Sequence, residues 1–202
     1  ITAAGEVRVT TSGDIKNVAP DTLGTVVAGG SIILESANGS VDSAARAFWV
    51  RTNDLVTARA GKDIYIATND NLNVGRINAD NLVTLSSRLG GIYDWFADAK
   101  ANVRGVGFDL KAATDIGTAA NPLEIIQDAG TGALRLEAQN AFVVSENDLR
   151  IQRWNVGAGV AGLELLAGSL EFAPINGVAG LKAGTAIISV PGSITDDTNN
   201  TL

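Results

Sequence analysis

Short bursts of alternating aliphatic residues, each starting just after Gly, Asn or Asp, recur along the chain and limit its fold more than any other feature. Residues 57–86, TARAGKDIYIATNDNLNVGRINADNLVTLS, contain such bursts around Ile64, Leu72 and Leu82. Alternation over about four to six residues is typical of a half-buried β-strand, and the intervening residues are typical of tight turns. The pattern predicts a repeat protein built from short strands.

The repeated form can be written G-x-φ-x-φ, where φ is an aliphatic residue. AGEVRV and GGSIIL show it in the first part of the chain, and AGLELL in the last third shows the shorter form G-φ-x-φ. We expect the glycines to permit sharp turns, with positive φ among the conformations open to them. The alternating aliphatic residues are expected to point into a common core.

This periodicity favours an all-β solenoid, in which each strand lies beside the equivalent strand of the next coil. A coil of about 20 residues would divide the chain into roughly ten irregular coils with parallel sheets. Right-handed winding is expected because parallel crossovers within one sheet are almost always right-handed. We therefore predict a right-handed parallel β-helix and treat residues 1–202 as one solenoid segment.

Two stretches depart from the pattern. Residues 90–105, GGIYDWFADAKANVRG, crowd three aromatic residues together and are predicted to form a loop or insertion that leaves the solenoid wall. Within it, ADAKANV is compatible with one or two helical turns. Residues 195–202 are polar and are predicted to form a frayed tail.

Two segments resemble each other closely enough to suggest an internal duplication. RAFWVRTNDL, residues 46–55, and NAFVVSENDL, residues 140–149, share Ala, Phe, Val, Asn, Asp and Leu at identical offsets. The similarity continues upstream with a length change, as expected when loops absorb insertions. The two segments are predicted to be equivalent parts of the repeat.

Composition excludes several function classes. The formal charge is −7 and the 15 Lys and Arg residues are scattered, which argues against nucleic acid as a partner. The absence of Cys and His removes thiolate and imidazole chemistry, and no apolar run is long enough to insert in a membrane. The chain has no Met and begins at Ile1, so we expect an excised piece of a longer protein, or a processed precursor.

The repeats resemble a known family. GGSIILESANGSV, GKDIYIATNDNLNVGRI and DIGTAANPLEI look like the β-helical repeats of filamentous haemagglutinin-like exoproteins, which are two-partner-secretion proteins of bacterial surfaces. The resemblance covers most of the chain, residues 90–105 being least typical. It implies a parallel β-helix, export through an outer-membrane transporter, and a role in adhesion, biofilm or cell contact at the bacterial surface.

Asn-Asp turns are the first candidate site. Side chains of Asn and Asp cap tight turns and stack between coils, and we interpret these residues as a structural turn ladder. Calcium binding is the alternative, but calcium requires six to eight oxygen ligands and the nonapeptide of calcium-binding β-rolls is absent. No metal or cofactor is predicted. The ladder residues are Asn53, Asp54, Asn69, Asp70, Asn147 and Asp148.

Catalytic carboxylates are the second candidate. Some parallel β-helices process polysaccharides, and a glycosidase needs two carboxylates about 5–10 Å apart. Asp54, Asp70 and Asp148 would be the pair or ladder in question. We predict that the chain is not an enzyme.

Aromatic residues are the third candidate. Tyr93, Trp95 and Phe96 could form a platform for sugars or a partner-binding loop, or could pack a loop onto the solenoid. Trp49 lies between two expected core positions and is therefore predicted to face outward as an exposed contact residue. These four are the candidate contacts for a ligand or partner.

The sequence-based hypothesis is a structural shaft of a secreted or surface-displayed adhesin-type exoprotein. Its expected partner is a receptor or glycan on a host or neighbouring cell, with the transporter as a partner during export and end-to-end self-association as a further option. The alternatives are a polysaccharide lyase or hydrolase and a self-assembling extracellular filament subunit. Carboxylates clustered in one groove would favour the enzyme.

Overall fold

The computed structural model describes residues 1–17, 26–96, 98–173 and 180–196. These residues form β-strands and connecting turns and no helix, so nothing in the described part could cross a membrane as a helix. The strands are β1 (Thr2–Ala3), β2 (Val7–Thr11), β3 (Val26–Ala28), β4 (Ile32–Ser36), β5 (Phe48–Arg51), β6 (Val56–Ala60), β7 (Ile64–Thr68), β8 (Leu72–Ala79), β9 (Leu82–Ser87), β10 (Ile92–Asp94), β11 (Val103–Gly105), β12 (Gly107–Ala112), β13 (Asp115–Ile116), β14 (Leu123–Gln127), β15 (Leu134–Glu137), β16 (Asn140–Ser145), β17 (Leu149–Asn155), β18 (Val160–Leu165), β19 (Leu170–Phe172), β20 (Leu181–Lys182), β21 (Thr185–Ser189) and β22 (Ile194–Asp196).

The strands alternate between two sheets. Sheet 1 has the order β1-β3-β5-β7-β9-β12-β15-β17-β19-β22, with β20 also beside β17. Sheet 2 contains the strands in between, from β2 through β4, β6 and β8 to β16, β18 and β21. Neighbouring strands in both sheets are parallel, for example β2 with β4 and β4 with β6. The predicted β-solenoid is confirmed, and its right-handed winding stays a prediction.

The core is a column of aliphatic side chains between the two sheets. In β4 the buried residues alternate with half-buried ones, and Ile32 and Leu34 are both 0% exposed. Ile64, Ile66 and Leu85 are buried to the same degree on sheet 1. Because burying one such side chain is worth about 1.5–3 kcal/mol, this column is the main source of stability.

Coil length varies more than the sequence indicates. Phe48 lies beside Ile66, 18 residues later, whereas Phe108 lies beside Leu134, 26 residues later. The chain forms about eight coils, close to the predicted ten. Fewer coils form than predicted because several coils contain long connections between their strand in sheet 1 and their strand in sheet 2.

Glycines at the coil corners allow close backbone approach and do not adopt positive φ at most of the expected positions. A Cβ atom on Gly39 would lie 2.6 Å from the backbone of Asp14, and one on Gly61 would lie 2.5 Å from the carbonyl oxygen of Ala37. Among the described glycines, positive φ occurs at Gly117, whose value is 61°, and also at Gly168, a corner glycine with a value of 82°. The glycine requirement at the corners therefore comes from stacking of successive coils.

The proposed internal duplication is wrong in structural terms. Phe48 lies in β5 of sheet 1 and points into the core, with 3% exposure. Phe142 lies in β16 of sheet 2 and is half-buried on the outer face, next to the buried Val143. Since successive side chains of a strand alternate between faces, the two segments have opposite orientation. Their similarity reflects composition and not equivalent positions.

Residues 90–105 leave the wall only in part. β10 and β11 both pair with β8, through its first and second halves respectively. A bulge at residues 75–76 of β8 separates these halves. Residues 95–96 and 98–102, here called the aromatic loop, lie between β10 and β11 outside any strand, and these described residues form none of the expected helical turns. Of the predicted frayed tail, Thr195 and Asp196 belong to β22, and residues 197–202 lie outside the described residues.

Candidate functional site

The aromatic loop is the most conspicuous feature of the outer surface of sheet 2. Trp95 and Phe96 are each 44% exposed, although Trp95 N still donates to Val74 O at 3.0 Å. Tyr93 lies in β10 and is half-buried, with its hydroxyl 3.5 Å from that of Thr114. Of the three predicted aromatic contacts, two therefore offer ring surface to a ligand.

A guanidinium lies against one of these rings. Arg76 Nη2 is 3.1 Å from both carboxylate oxygens of Asp98, and the guanidinium carbon lies 4.8 Å from the centre of the Phe96 ring. The bulge in β8 places Arg76 at the base of the loop. The loop therefore combines two exposed rings with a charged pair on one side.

At the base of the loop lies a buried polar cluster of Asp94, Asn102 and Glu124. Asn102 is 1% exposed, and its Nδ2 donates to Asp94 Oδ1 at 2.5 Å. Its Oδ1 accepts from Glu124 N at 3.3 Å, and its own N donates to Glu124 O at 2.9 Å. Asp94 Oδ1 also accepts from Phe96 N at 2.8 Å. The amide of Asn102 thus joins the strand before the loop to the next coil.

Glu124 is the unusual member of the cluster. It is only 7% exposed, and Oε2 is buried without a hydrogen-bond partner among the described residues. Burial, the largest cause, raises the pKa of Glu124 to about 7, and the charges of Asp94 and Asp98 add to the rise while Arg76 opposes it. A large fraction of this carboxyl is therefore neutral at pH 7, beside other carboxylates.

A second loop and a neighbouring turn contact the same region. Residues 117–122 connect β13 to β14, and Asn121 Nδ2 donates to Asp94 O at 3.2 Å. Glu146, in the turn after β16, accepts from Ala101 N at 3.0 Å through Oε1. Three successive coils therefore converge on the aromatic loop.

This arrangement can perform two kinds of chemistry. Exposed Trp and Phe rings stack against the apolar faces of sugars or against side chains of a partner. A neutral carboxyl beside an ionised one is the pattern of an acid and base pair. The sequence-based reading missed Asp94, Asn102 and Glu124, and the only sequence signal for them is a polar residue within an otherwise apolar burst, as in LEII at Leu123–Ile126.

Trp49 is not an exposed contact residue, contrary to the prediction. It is 8% exposed, its neighbour in β7 is the buried Ala67, and Arg88 lies over its ring at 5.6 Å. It lies outside the core cluster that contains Phe48. Strand alternation predicts that Trp49 points away from the core. It does not predict that residues of the following coils cover the outward-facing ring.

The Asn-Asp turn residues do not form a single ladder. Asn53, Asp54, Asn69 and Asp70 lie in turns from sheet 1 to sheet 2, whereas Asn147 and Asp148 lie in a turn from sheet 2 to sheet 1. Asp54, Asp70 and Asp148 therefore cannot act together as catalytic carboxylates. The same three-letter motif, NDL, follows strands of different sheets.

Individual turn residues instead bond within a turn or to a neighbouring coil. Asp54 Oδ1 accepts from Leu55 N at 2.7 Å, Asp148 Oδ1 from Ser169 N at 2.7 Å, and Asn147 Nδ2 donates to Gln127 O at 2.7 Å. Asp70 N donates to the hydroxyl of Thr68 at 3.2 Å, and a carboxylate oxygen of Asp70 lies 3.7 Å from Arg51 Nε. Asn53 O accepts from Asn73 Nδ2 at 3.1 Å, and Asn69 O accepts from Leu89 N at 3.1 Å.

Carboxylates elsewhere in the described ranges offer no ready metal site. No group of three or more Asp and Glu residues there is arranged to hold a metal ion. A cavity of about 510 Å³ is lined partly by charged residues, and three of them are in ion pairs, Arg150 with Glu171 at 3.1 Å and Asp128 with Arg104 just outside the cavity at 2.8 Å. The fourth, Asp148, accepts from Ser169 N at 2.7 Å. The region around the aromatic loop therefore remains the candidate site.

Comparison with known proteins adds no assignment. The resemblance to filamentous haemagglutinin-like exoproteins consequently stays a prediction, and the solenoid shape alone does not distinguish that family from other β-solenoids. No protein-family model, no curated protein and no solved structure matches this chain.

Proposed function

We propose that this chain is a stiff shaft segment of a secreted or surface-displayed bacterial adhesin-type exoprotein, and that the aromatic loop on its side contacts a glycan or receptor. The single observation that carries the proposal is the exposure of Trp95 and Phe96, each 44%, on a loop fastened to a fully stacked core. A rigid base lowers the entropy lost when the rings bind a partner.

The shaft part of the proposal is supported by the continuity of the core. Buried aliphatic residues occur in every coil from β2 to β19, and both sheets continue without a break in pairing through that region. Such a stack transmits load along its axis because each coil is bonded to the next along two sheets. Export through an outer-membrane transporter and display outside the cell belong to the same proposal, on the resemblance alone.

The test is binding to a panel of polysaccharides and intact cells, with binding and released products scored separately. Trp95→Ala and Phe96→Ala are expected to weaken binding about tenfold each, the loss of one stacked ring. Leu89→Ala is the matched control, because Leu89 is 75% exposed but lies away from the loop. Binding that is equally strong in both loop variants and in the control would refute the contact site.

Polysaccharide hydrolysis is the second candidate, favoured by one observation. Glu124 is neutral to a large extent at pH 7 and lies near the carboxylate of Asp94, which is the electrostatic arrangement of an acid and base pair. Because Oε2 of Glu124 is buried, this function also requires the aromatic loop to move so that a substrate can reach the carboxyl. Release of soluble oligosaccharide by the wild-type chain, abolished by Glu124→Gln, would establish this function in place of the passive shaft. Binding without products would support the adhesin.

A further inference from the structure

The aromatic loop is held to sheet 2 by a small number of hydrogen bonds, several of which depend on carboxyl groups. Phe96 N donates to Asp94 Oδ1 at 2.8 Å, and Ala101 N donates to Glu146 Oε1 at 3.0 Å. Asn102 donates through Nδ2 to Asp94 and through N to the backbone of Glu124. Movement of these carboxyl groups would therefore release both ends of the loop.

The surroundings of Glu124 contain more negative than positive charge. Asp94 and Asp98 both raise the cost of ionising Glu124, and the nearby cation Arg76 already holds both oxygens of Asp98. The remaining charged groups on elements packed around Glu124 are Lys100 in the loop, which is exposed, Arg104 on β11, which is bonded to Asp128, and Glu146 after β16. β16 itself contains no titratable residue.

Ionisation of Glu124 would create a second carboxylate near Asp94, and its own backbone N–H and Arg76 offset the cost only in part. Oε2 has no donor among the described residues and is shielded from water by the protein. An unpaired buried charge is expensive, and the least costly relief is movement of the covering loop so that water can reach the carboxylate. β14 cannot move in the same way, because it is paired with β11 and β16.

We propose that Glu124 controls the aromatic loop through its proton: the neutral carboxyl leaves the loop fastened to sheet 2, and ionisation of the carboxyl frees it. Trp95 and Phe96 are then held in one arrangement at acidic pH and become mobile as the pH rises towards 7. The consequence for ligand contact rests on the proposed function, whereas the movement of the loop does not depend on it.

The relevant pH range lies between 4.5 and about 7. Burial raises the pKa of Glu124 to about 7 in the folded chain, against an ordinary value of 4.5 once the loop is freed. Within that range each pH unit should favour the freed loop by up to about tenfold, and the effect should level off above pH 7. Opening at pH 8.5 should therefore exceed opening at pH 5.5 by about thirtyfold. Binding that uses preorganised rings should weaken over the same range.

The experiment is hydrogen exchange followed by mass spectrometry on the whole chain between pH 5.5 and 8.5, with rates corrected for the intrinsic effect of pH. We expect protection of peptides covering residues 95–102 to fall about thirtyfold from pH 5.5 to pH 8.5, with most of the fall below pH 7, while peptides from β4, β7 and β9 stay protected. Glu124→Gln, a neutral isostere, should retain the protection at all pH values. Glu164→Gln is the matched control, because Glu164 is exposed on β18 of the same sheet and should leave the wild-type profile unchanged.

Three results would overturn the proposal. The first is protection of residues 95–102 that does not vary with pH in the wild type, or that varies equally in Glu124→Gln. The second comes from a carboxyl ¹³C titration of the wild type, which needs no variant: a Glu124 midpoint near 4.5 would show that the carboxyl is ionised throughout. The third is a loss of the pH effect on adding calcium chloride, restored by a chelator, which would assign the carboxylates to a cation instead. None of these measurements uses a glycan, so their results can be interpreted even if the glycan-binding test is negative.

Discussion

The coils around β4, β6 and β7 differ from the coils around β10, β11, β13 and β14. In the former, each coil contributes one unbroken strand to sheet 2, and aliphatic residues such as Ile32 and Val56 lie side by side. In the latter, sheet 2 receives two short strands per coil, separated by residues 95–102 and 117–122. The buried groups at the interruption are polar, with Asn102 1% exposed and Glu124 7% exposed.

Within one architecture, the unbroken coils therefore provide stability and the interrupted coils provide the candidate functional site. Unbroken coils bury apolar surface and satisfy their backbone groups along both sheets, so they need no further adjustment. Interrupted coils bury carboxyl and amide groups, which cost free energy unless each is bonded. A protein tolerates such a cost where a loop must be positioned, and here the positioned loop carries the exposed rings.

The largest expected effect tests the unbroken coils. Leu85→Ala removes a side chain that is 0% exposed between β7 and β12, and we expect the free energy of unfolding to fall by about 2–5 kcal/mol. Leu89→Ala makes the same chemical change at a residue that is 75% exposed, and we expect a change within about 0.5 kcal/mol. Urea denaturation measures both. Equal effects would contradict the stacked core as the main source of stability.

The next effect concerns the interrupted coils and pH. The folded state keeps a proton on Glu124 up to a pKa of about 7, whereas the unfolded chain releases it near 4.5. Unfolding therefore releases a proton between these values, and the free energy of unfolding should fall as pH rises from 4.5 to 7, by about 3 kcal/mol at most.

Glu124→Gln separates this contribution from the other titrating groups. The variant should match the wild type near pH 4.5 and exceed its stability near pH 8, because the amide cannot ionise. Denaturant midpoints across the pH range provide the measurement. Parallel curves for the two proteins would show that the buried carboxyl is not the group responsible.

A smaller effect tests the amide that joins the coils. Asn102→Ala removes the bonds to Asp94 and to the backbone N–H of Glu124, and we expect a loss of about 1–3 kcal/mol. Asn78→Ala on β8 is the control, since Asn78 is exposed on the same sheet. Hydrogen exchange should show the loss concentrated in residues 95–102. A loss spread over all coils would mean that Asn102 supports the fold generally and does not position the loop.

The unbroken coils are also the part that could be predicted from the sequence. Alternation in bursts such as IIL at Ile32–Leu34 reports directly which side chains face the core, and parallel stacking follows because each burst needs a partner. Coil length is less predictable, because β5 and β7 are 18 residues apart in register while β12 and β15 are 26 apart. A fixed period therefore yielded too many coils.

The site was only partly predictable, for a related reason. Exposed rings at Trp95 and Phe96 were recognisable because they interrupt the rhythm of the chain. The contacts of Asp94, Asn102 and Glu124 depend on the register of two consecutive coils, and their offsets follow no constant period. The comparison of RAFWVRTNDL with NAFVVSENDL failed in the same way, since identical letters fell on different sheets.

The smallest expected effect concerns a ring in the unbroken coils, which contrasts with the exposed rings of the loop. Arg88 covers Trp49 at 5.6 Å, so Arg88→Ala should expose that ring, shift its fluorescence to longer wavelength and cost at most about 1 kcal/mol of stability. The measurement is made in a Trp95→Phe background, so that only the buried Trp154 emits besides Trp49. Arg59→Ala, at an exposed arginine of β6, should leave the spectrum unchanged. An unshifted spectrum in Arg88→Ala would mean that neighbouring coils bury Trp49 without this cation, and that unbroken coils enclose even outward-facing aromatic rings by backbone stacking alone.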